Sequence, residues 1–299
     1  MSGLLWRPVT SDDLAEASRL ATQCDAAYGT LDAPLMEQLF ADRTSSHASR
    51  VVLDGARMLA VGYVRTVDAP GGKRACLYAF AEPGHPVLAE LVEWLDEHST
   101  EGAHAARFER VLAASTVDLP QDVVAMYARL GYARFYTELE MVRGVGESVR
   151  ADEAGSVRTV PWSHERHVEM RDVYNAAFRE RGFLGYSEHE WPRIFVADDD
   201  FQASVSFNAL DGDEMVGFVL ARVEDGTDGW IDSIGVLPSH WKGGIAARLI
   251  SRVGDAVREL GGERVGLRVN EDNERAIRVY HRLGFVTTRK HVVYRRIIV

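Results

Sequence analysis

The spacing of apolar positions changes along the chain, and each change marks an element. In the second half, Val157-Arg158-Thr159-Val160 reads as a short strand. Val168, Val173, Ala176, Ala177 and Phe178 then recur at near-helical spacing within 164–182. Ser187 and Glu190 form a capping-box pattern that predicts the start of a second helix. Val205, Phe207 and Ala209 alternate, Asp211-Gly212-Asp213 turns the chain, and Val216, Phe218 and Leu220 alternate beyond it, which predicts a hairpin. A strand over 230–236 leads through a glycine-rich turn into a helix with apolar residues at 245, 249, 250, 253, 257 and 260. Val265, Leu267 and Val269 alternate as a strand, and residues 273–283 form a helix stopped by Gly284. Strands near 285–289 and 291–298 close the chain.

The first half repeats this order loosely. Residues 4–9 read as a strand and 11–28 as a helix; Asp54-Gly55 turns a hairpin between 50–53 and 57–67; 74–81 is a strand. Residues 86–98 are helical, 107–114 a strand, 120–130 a helix ended by Gly131, and 133–142 the last strand. Residues 144–155 are polar, glycine-containing and aperiodic, and read as a linker. The pattern therefore predicts two copies of one α+β unit, residues 1–143 and 156–299. Each is an α/β three-layer arrangement, a mixed and mostly antiparallel sheet flanked by helices.

A chain of 299 residues with 46% hydrophobic and 26% charged residues has enough apolar material for two such cores. The net charge of −11 argues against nucleic-acid partners. It favours cationic small molecules, or serves solubility alone. No apolar run approaches the roughly 18 residues of a membrane span. The start, Met1 to Arg7, lacks the blocks of a signal peptide, so the expected setting is cytoplasmic, with no membrane partner. Cys24 and Cys76 stand apart in sequence and read as buried thiols; no CxxC or HExxH spacing is present, and no metal is expected.

The chemistry gathers in the second half. Trp241-Lys242-Gly243-Gly244-Ile245-Ala246 lies between a strand and a helix, where the helix start leaves backbone N–H groups unpaired. Glycines there either cradle a diphosphate or simply make a tight turn. From Ile234-Gly235-Val236-Leu237-Pro238 through Ala247-Arg248-Leu249-Ile250, the segment resembles the acetyl-CoA signature of the GNAT superfamily of N-acetyltransferases. That signature is an apolar strand ending V-x-P, then Q/R-x-x-G-x-G/A opening a helix. Gly244 and Ala246 match its small positions; Trp241 stands where the family has Arg or Gln, and Lys242 or His240 could supply the charge instead. Asn273, Ala276, Tyr280, Gly284 and Phe285 match the second hallmark, N-x-x-A-x-x-x-Y-x-x-x-G-F. Asn273 is placed to cap its helix, and Ala276 and Tyr280 share a face four residues apart.

The resemblance covers 156–299 and implies two tandem GNAT-like domains, the second binding acetyl-CoA. It implies cofactor contacts at Ile234, Gly235, Val236, Trp241, Lys242, Gly243, Gly244, Ile245, Ala246, Ala247, Asn273, Ala276 and Tyr280. A backbone amide of Ile234 or Val236 would polarise the thioester, and Tyr280 would protonate the departing thiolate; a core aromatic is the alternative for Tyr280. Asp232 is the candidate base, or else a solvated strand-end carboxylate, with Glu188, Glu190 and His281 behind it. In the first half, Met126 to Tyr132 resembles the end of the second hallmark, but the first is replaced by Ala81-Glu82-Pro83-Gly84-His85-Pro86, so one coenzyme per chain is expected. Tandem members of the family, mycothiol synthase among them, share this pattern of one active and one degenerate copy. The expected activity is N-acetylation of a small-molecule amine. A protein or peptide amine, or a non-catalytic acyl-CoA-binding module, are the alternatives, in a monomer or homodimer.

Overall fold

The computed structural model describes residues 3–28, 48–69, 72–99, 108–115, 121–146, 156–183, 185–189, 191, 203–224 and 226–298. The chain divides into two compact units, Met1–Glu138 with Arg289–Val299, and Leu139–Thr288.

The first unit is built on strands β1 (Leu5–Arg7), β2 (Ala48–Asp54), β3 (Arg57–Ala69), β4 (Gly72–Ala81), β5 (Phe108–Ser115) and the first part of β6 (Ala133–Gly144). Pairs β1–β2, β2–β3 and β3–β4 are antiparallel, and β4–β5 is parallel. Helices α1 (Leu14–Tyr28), α2 (Val87–His98) and α3 (Gln121–Arg129) accompany the sheet. In α1, Ala17, Leu20, Ala21 and Cys24 fall on one stripe and bury against Val51, Met58, Val61 and Phe80. In α2, Leu91, Val92 and Leu95 bury in a separate cluster with Val52, Ala60 and Leu77. The alternation along the strands thus feeds two cores, one per sheet face. Cys24 is buried there as expected, whereas Cys76 is half-buried.

The second unit contains strands β7 (Val157–Pro161), β8 (Phe207–Asp211), β9 (Glu214–Glu224), β10 (Asp228–Val236) and β11 (Arg264–Asn270). Neighbours from β7 to β10 are antiparallel, and β10–β11 is parallel. Helices α4 (His167–Phe178), α5 (Ile245–Glu259) and α6 (Glu274–Arg282) complete it. Alternation in β9 sends Phe218 and Leu220 to the α4 side, with Met170 and Val173. It sends Val219 and Ala221 to the α5 side, with Leu249, Val253 and Val257. The hairpin turn falls at Gly212-Asp213, and Gly212 has the positive φ (59°) that such a turn needs.

Two expectations change. The chain ends in one continuous strand, β12 (Val286–Ile298), and not in two. Arg289-Lys290-His291 contains no glycine, proline or asparagine to turn the backbone. The compact units also differ from the division 1–143 and 156–299. Residues 291–298 of β12 pair antiparallel with β5, from His291–Ser115 to Ile298–Phe108, so the chain's last strand completes the first unit. Residues 139–146 belong to the second unit, where the Val145 N–H donates to the Glu263 carbonyl (2.9 Å) and buried Arg143 donates to the Leu283 carbonyl (3.2 Å). Most of the expected linker, the helix started by Ser187, and Glu190 lie outside the described residues.

Candidate active site

The site grows out of one irregular strand. β10 pairs with β9 along its length, with a register shift between Ile231 and Ser233 that makes Asp232 a bulge. Its parallel pairing with β11 runs over Gly229–Ile231 against Val265–Leu267. From the last of those pairs onward, residues 231–236 of β10 and 267–270 of β11 line one cleft of about 420 Å3. The pairing of β10 with β11 stops at the Ile231–Leu267 pair, short of the end of either strand. Regular alternation would send adjacent residues to opposite faces; the bulge breaks it, and Asp232 and Ser233 both line the cleft.

α4 forms one wall through Tyr174, Ala177 and Phe178, continued by Arg181 and Phe183. It comes this close because position 235 is glycine. A Cβ there would lie 2.6 Å from the Phe218 ring and 3.2 Å from the Ala177 Cβ. Tyr174 stacks on Phe218 at 5.6 Å and meets Phe178 at 4.5 Å and Phe183 at 5.6 Å. Burial raises its phenol pKa, and its hydroxyl hydrogen-bonds with Ser233.

The opposite wall is α6. Asn273, Ala276 and Tyr280 follow one another at three and four residues and all line the cleft. Asn273 caps the helix, its Oδ1 accepting from the Ala276 N–H at 3.3 Å. Tyr280 is 7% exposed, and desolvation pushes its phenol up to about 12.

At the end of β10 the chain makes a short 3-10 turn, Pro238–Gly243, and enters α5 through Gly244 at φ 68°. Gly244 brings no side chain to cap α5, and a Cβ there would meet nothing within 4 Å. The first amides of α5 therefore depend on solvent or a ligand. Buried Arg248 anchors the turn, donating to the Gly243 and Val157 carbonyls.

Of the residues expected at the site, Asp232, Ile234, Gly235, Val236, Trp241, Ala246, Asn273, Ala276 and Tyr280 line this cleft. Lys242, Gly243, Gly244, Ile245 and Ala247 flank it. Ile245 is buried in the core and Ala247 packs against that core, so only their main chain is available to a ligand. The Asp232 carboxylate is paired with Arg222. Glu188 pairs with Arg171 at 3.3 Å and His281 meets the Phe285 carbonyl at 3.1 Å, both away from the cleft lining. His240 faces Asp211 at 3.5 Å. His164 and His167 form an HxxH pair that the sequence reading overlooked, but no third ligand joins them among the described residues.

The sequence reading missed the α4 wall and Arg275. The signal for the wall was the crowding of Tyr174, Phe178, Phe183 and Tyr186, more aromatics than one helix stripe needs for its core.

The Acetyltransferase (GNAT) family model matches residues 162–285. N-alpha-acetyltransferase 30 of Schizosaccharomyces pombe is 29% identical over 136 residues, 43% of this chain and 83% of that protein. Mycothiol acetyltransferase of Gordonia bronchialis is 29% identical over 302 residues, 95% of this chain and 92% of that protein. A solved tandem GNAT protein from the clavulanic acid biosynthesis pathway superposes with a TM-score of 0.73 over 99% of this chain and 98% of that one, at 15% identity, a likeness of fold.

Proposed function

The chain is an N-acetyltransferase with a GNAT family domain over residues 162–285 and a tandem GNAT fold, and from that premise we propose that it uses acetyl-CoA to acetylate a small-molecule amine. One observation carries this reading. A single cleft is bounded by the uncapped start of α5, the splayed end of β10 and the buried hydroxyl-bearing Tyr280. The residues fit the coenzyme: free amides and an open approach at Gly244 suit a diphosphate. The apolar walls of α4 and α6 suit a pantetheine arm.

When bound, acetyl-CoA supplies an activated acetyl carbonyl. The amine nitrogen forms a bond to that carbon, and the carbon–sulfur bond breaks with its electron pair going to sulfur. A main-chain amide at Ile234 or Val236 donates to the carbonyl oxygen as charge builds there. Tyr280 gives its proton to the thiolate, and the second proton, shed by the nitrogen as the amide forms, passes through water to restore the phenol. Asp232, at the bulge beside Ser233, attracts the ammonium form of the acceptor and receives its proton through water; the Arg222 contact positions that carboxylate. An amine of pKa about 10 must lose a proton before it attacks, so such a group is required.

A small-molecule acceptor is favoured because similarity to the mycothiol acetyltransferase spans both halves, whereas similarity to the N-alpha-acetyltransferase covers 43% of the chain. The test is thiol release from acetyl-CoA with a panel of polyamines, amino sugars, aminoglycosides and short peptides. Release with one class of small amine supports the reading. Release with peptides alone, or coenzyme binding with no release from any amine, rejects it.

A further inference from the structure

Three arginines line the cleft, and two of them are paired with carboxylates. Arg181 pairs with Asp272, and Arg268 with Glu140 at 3.3 Å. Arg275 has no carboxylate partner among the described residues. Its guanidinium carbon instead lies 3.3 Å from the centre of the Trp241 ring.

The position makes this arrangement costly for the free protein. Arg275 is the second residue of α6, at the helix's positive end, where a cation is disfavoured. Glu274, the acid of that first turn, is engaged with Arg278 at 3.2 Å and does not compensate it. The ring beneath is itself fixed: the Trp241 indole N–H donates to the Val236 carbonyl at 2.8 Å. A guanidinium seated over a fixed ring can offer N–H groups to an oxyanion and loses little entropy on binding one. Trp241 lies within the turn that leads to Gly244, so the stack sits in the chain segment that delivers the amides of α5. The other basic groups near this turn do not substitute. His240 is engaged with Asp211, and Lys242 does not line the cleft.

We propose that Arg275, held in place by Trp241, is the cationic contact for the coenzyme diphosphate. This rests on the proposed function and adds to it a phosphate-binding residue from α6, opposite the amides of α5. Trp241 acts as a positioning residue: it cannot neutralise a phosphate but fixes the group that does.

The test uses calorimetry on the full chain with coenzyme A and with 3′-dephospho-coenzyme A, which keeps the diphosphate and lacks the 3′-phosphate. Arg275→Gln should weaken both ligands by about tenfold or more, the loss typical of a charged hydrogen bond. It should also flatten the salt dependence of binding, with a melting temperature no lower than that of the wild type. Trp241→Leu should weaken binding less, and the double variant should be no worse than Arg275→Gln alone, because the two residues act through one contact. Arg278→Gln, on the same helix but paired with Glu274, should bind as wild type. Wild-type affinity in Arg275→Gln overturns the proposal, as does a loss confined to coenzyme A, which assigns the arginine to the 3′-phosphate. Additive losses overturn the role of Trp241. A wild-type chain that binds neither compound overturns the functional reading and this one with it, whereas normal wild-type binding beside an unaffected Arg275→Gln overturns this one alone.

Discussion

Tyr280 is where burial and chemistry meet in one side chain. Its phenol lies against the core beside Phe285, and loss of hydration disfavours the phenolate, pushing the group up to about 12. A raised pKa means that the proton is kept as pH rises through the range where an exposed tyrosine would lose it. The acid proposed for the departing thiolate is thus fully loaded at neutral pH. Tyr280→Phe should lower kcat by about a hundredfold or more, the usual worth of a positioned acid, while acetyl-CoA affinity stays within about twofold. In the wild-type chain, kcat should rise as the acceptor amine deprotonates and should not turn down until pH nears 12. A descending limb near neutrality, or an unaffected Tyr280→Phe, would assign the proton to another group. The competing role, a core aromatic, predicts lost stability with kcat preserved.

At the scale of elements, the last strand does more than its position at the chain's end suggests. Residues 291–298 pair along β5, Tyr294 meets Tyr127 at 5.0 Å, and Arg296 donates to buried Asp96 at 2.8 Å, which also accepts from the Tyr132 hydroxyl at 2.6 Å. Truncation after Thr288 removes the β5 pairing and the Tyr294 and Arg296 contacts from the first unit. The expected loss is on the order of 3 kcal/mol or more, as for deleting a buried aromatic, before the unpaired backbone of β5 is counted. Hydrogen exchange should report it as lost protection in β5 and α3; unchanged protection there would mean the strand is dispensable. The same strand shows where sequence reading stops. Alternation gave nearly all the elements within two or three residues, because period and turn chemistry are local. It could not say that β12 runs unbroken or which strand it pairs with, because a pairing partner is a long-range choice that one strand's side chains do not encode. In the cleft, glycine and capping positions such as Gly244 and Asn273 were legible for the same local reason. The α4 wall was passed over because Tyr174 and Phe178 have the spacing of ordinary core residues, and only their crowding with Phe183 and Tyr186 sets them apart. The bulge at Asp232 also left no mark in the pattern, and it is what brings both Asp232 and Ser233 to the cleft.

Over the whole molecule, the two units share an order of elements but differ at the one place where a coenzyme needs main-chain donors. In the second unit, α5 opens at Gly244 with its first amides uncapped. In the first, α2 follows Pro86, which has no N–H to offer. The next amide, that of Val87, is already taken by the His85 ring at 3.1 Å. A diphosphate approaching α2 would therefore find one donor missing and the next occupied. Breaking that internal contact would cost on the order of a kcal/mol and would still leave the proline. The helix macrodipole alone is worth about as little, far short of the roughly 8 kcal/mol that micromolar binding requires. Titration of the full chain with acetyl-CoA should accordingly saturate at one equivalent. His85→Ala, which frees the Val87 amide but keeps Pro86, should leave that stoichiometry unchanged. A second equivalent bound with similar affinity in either protein would show that the first unit recognises the coenzyme by donors other than the start of its helix.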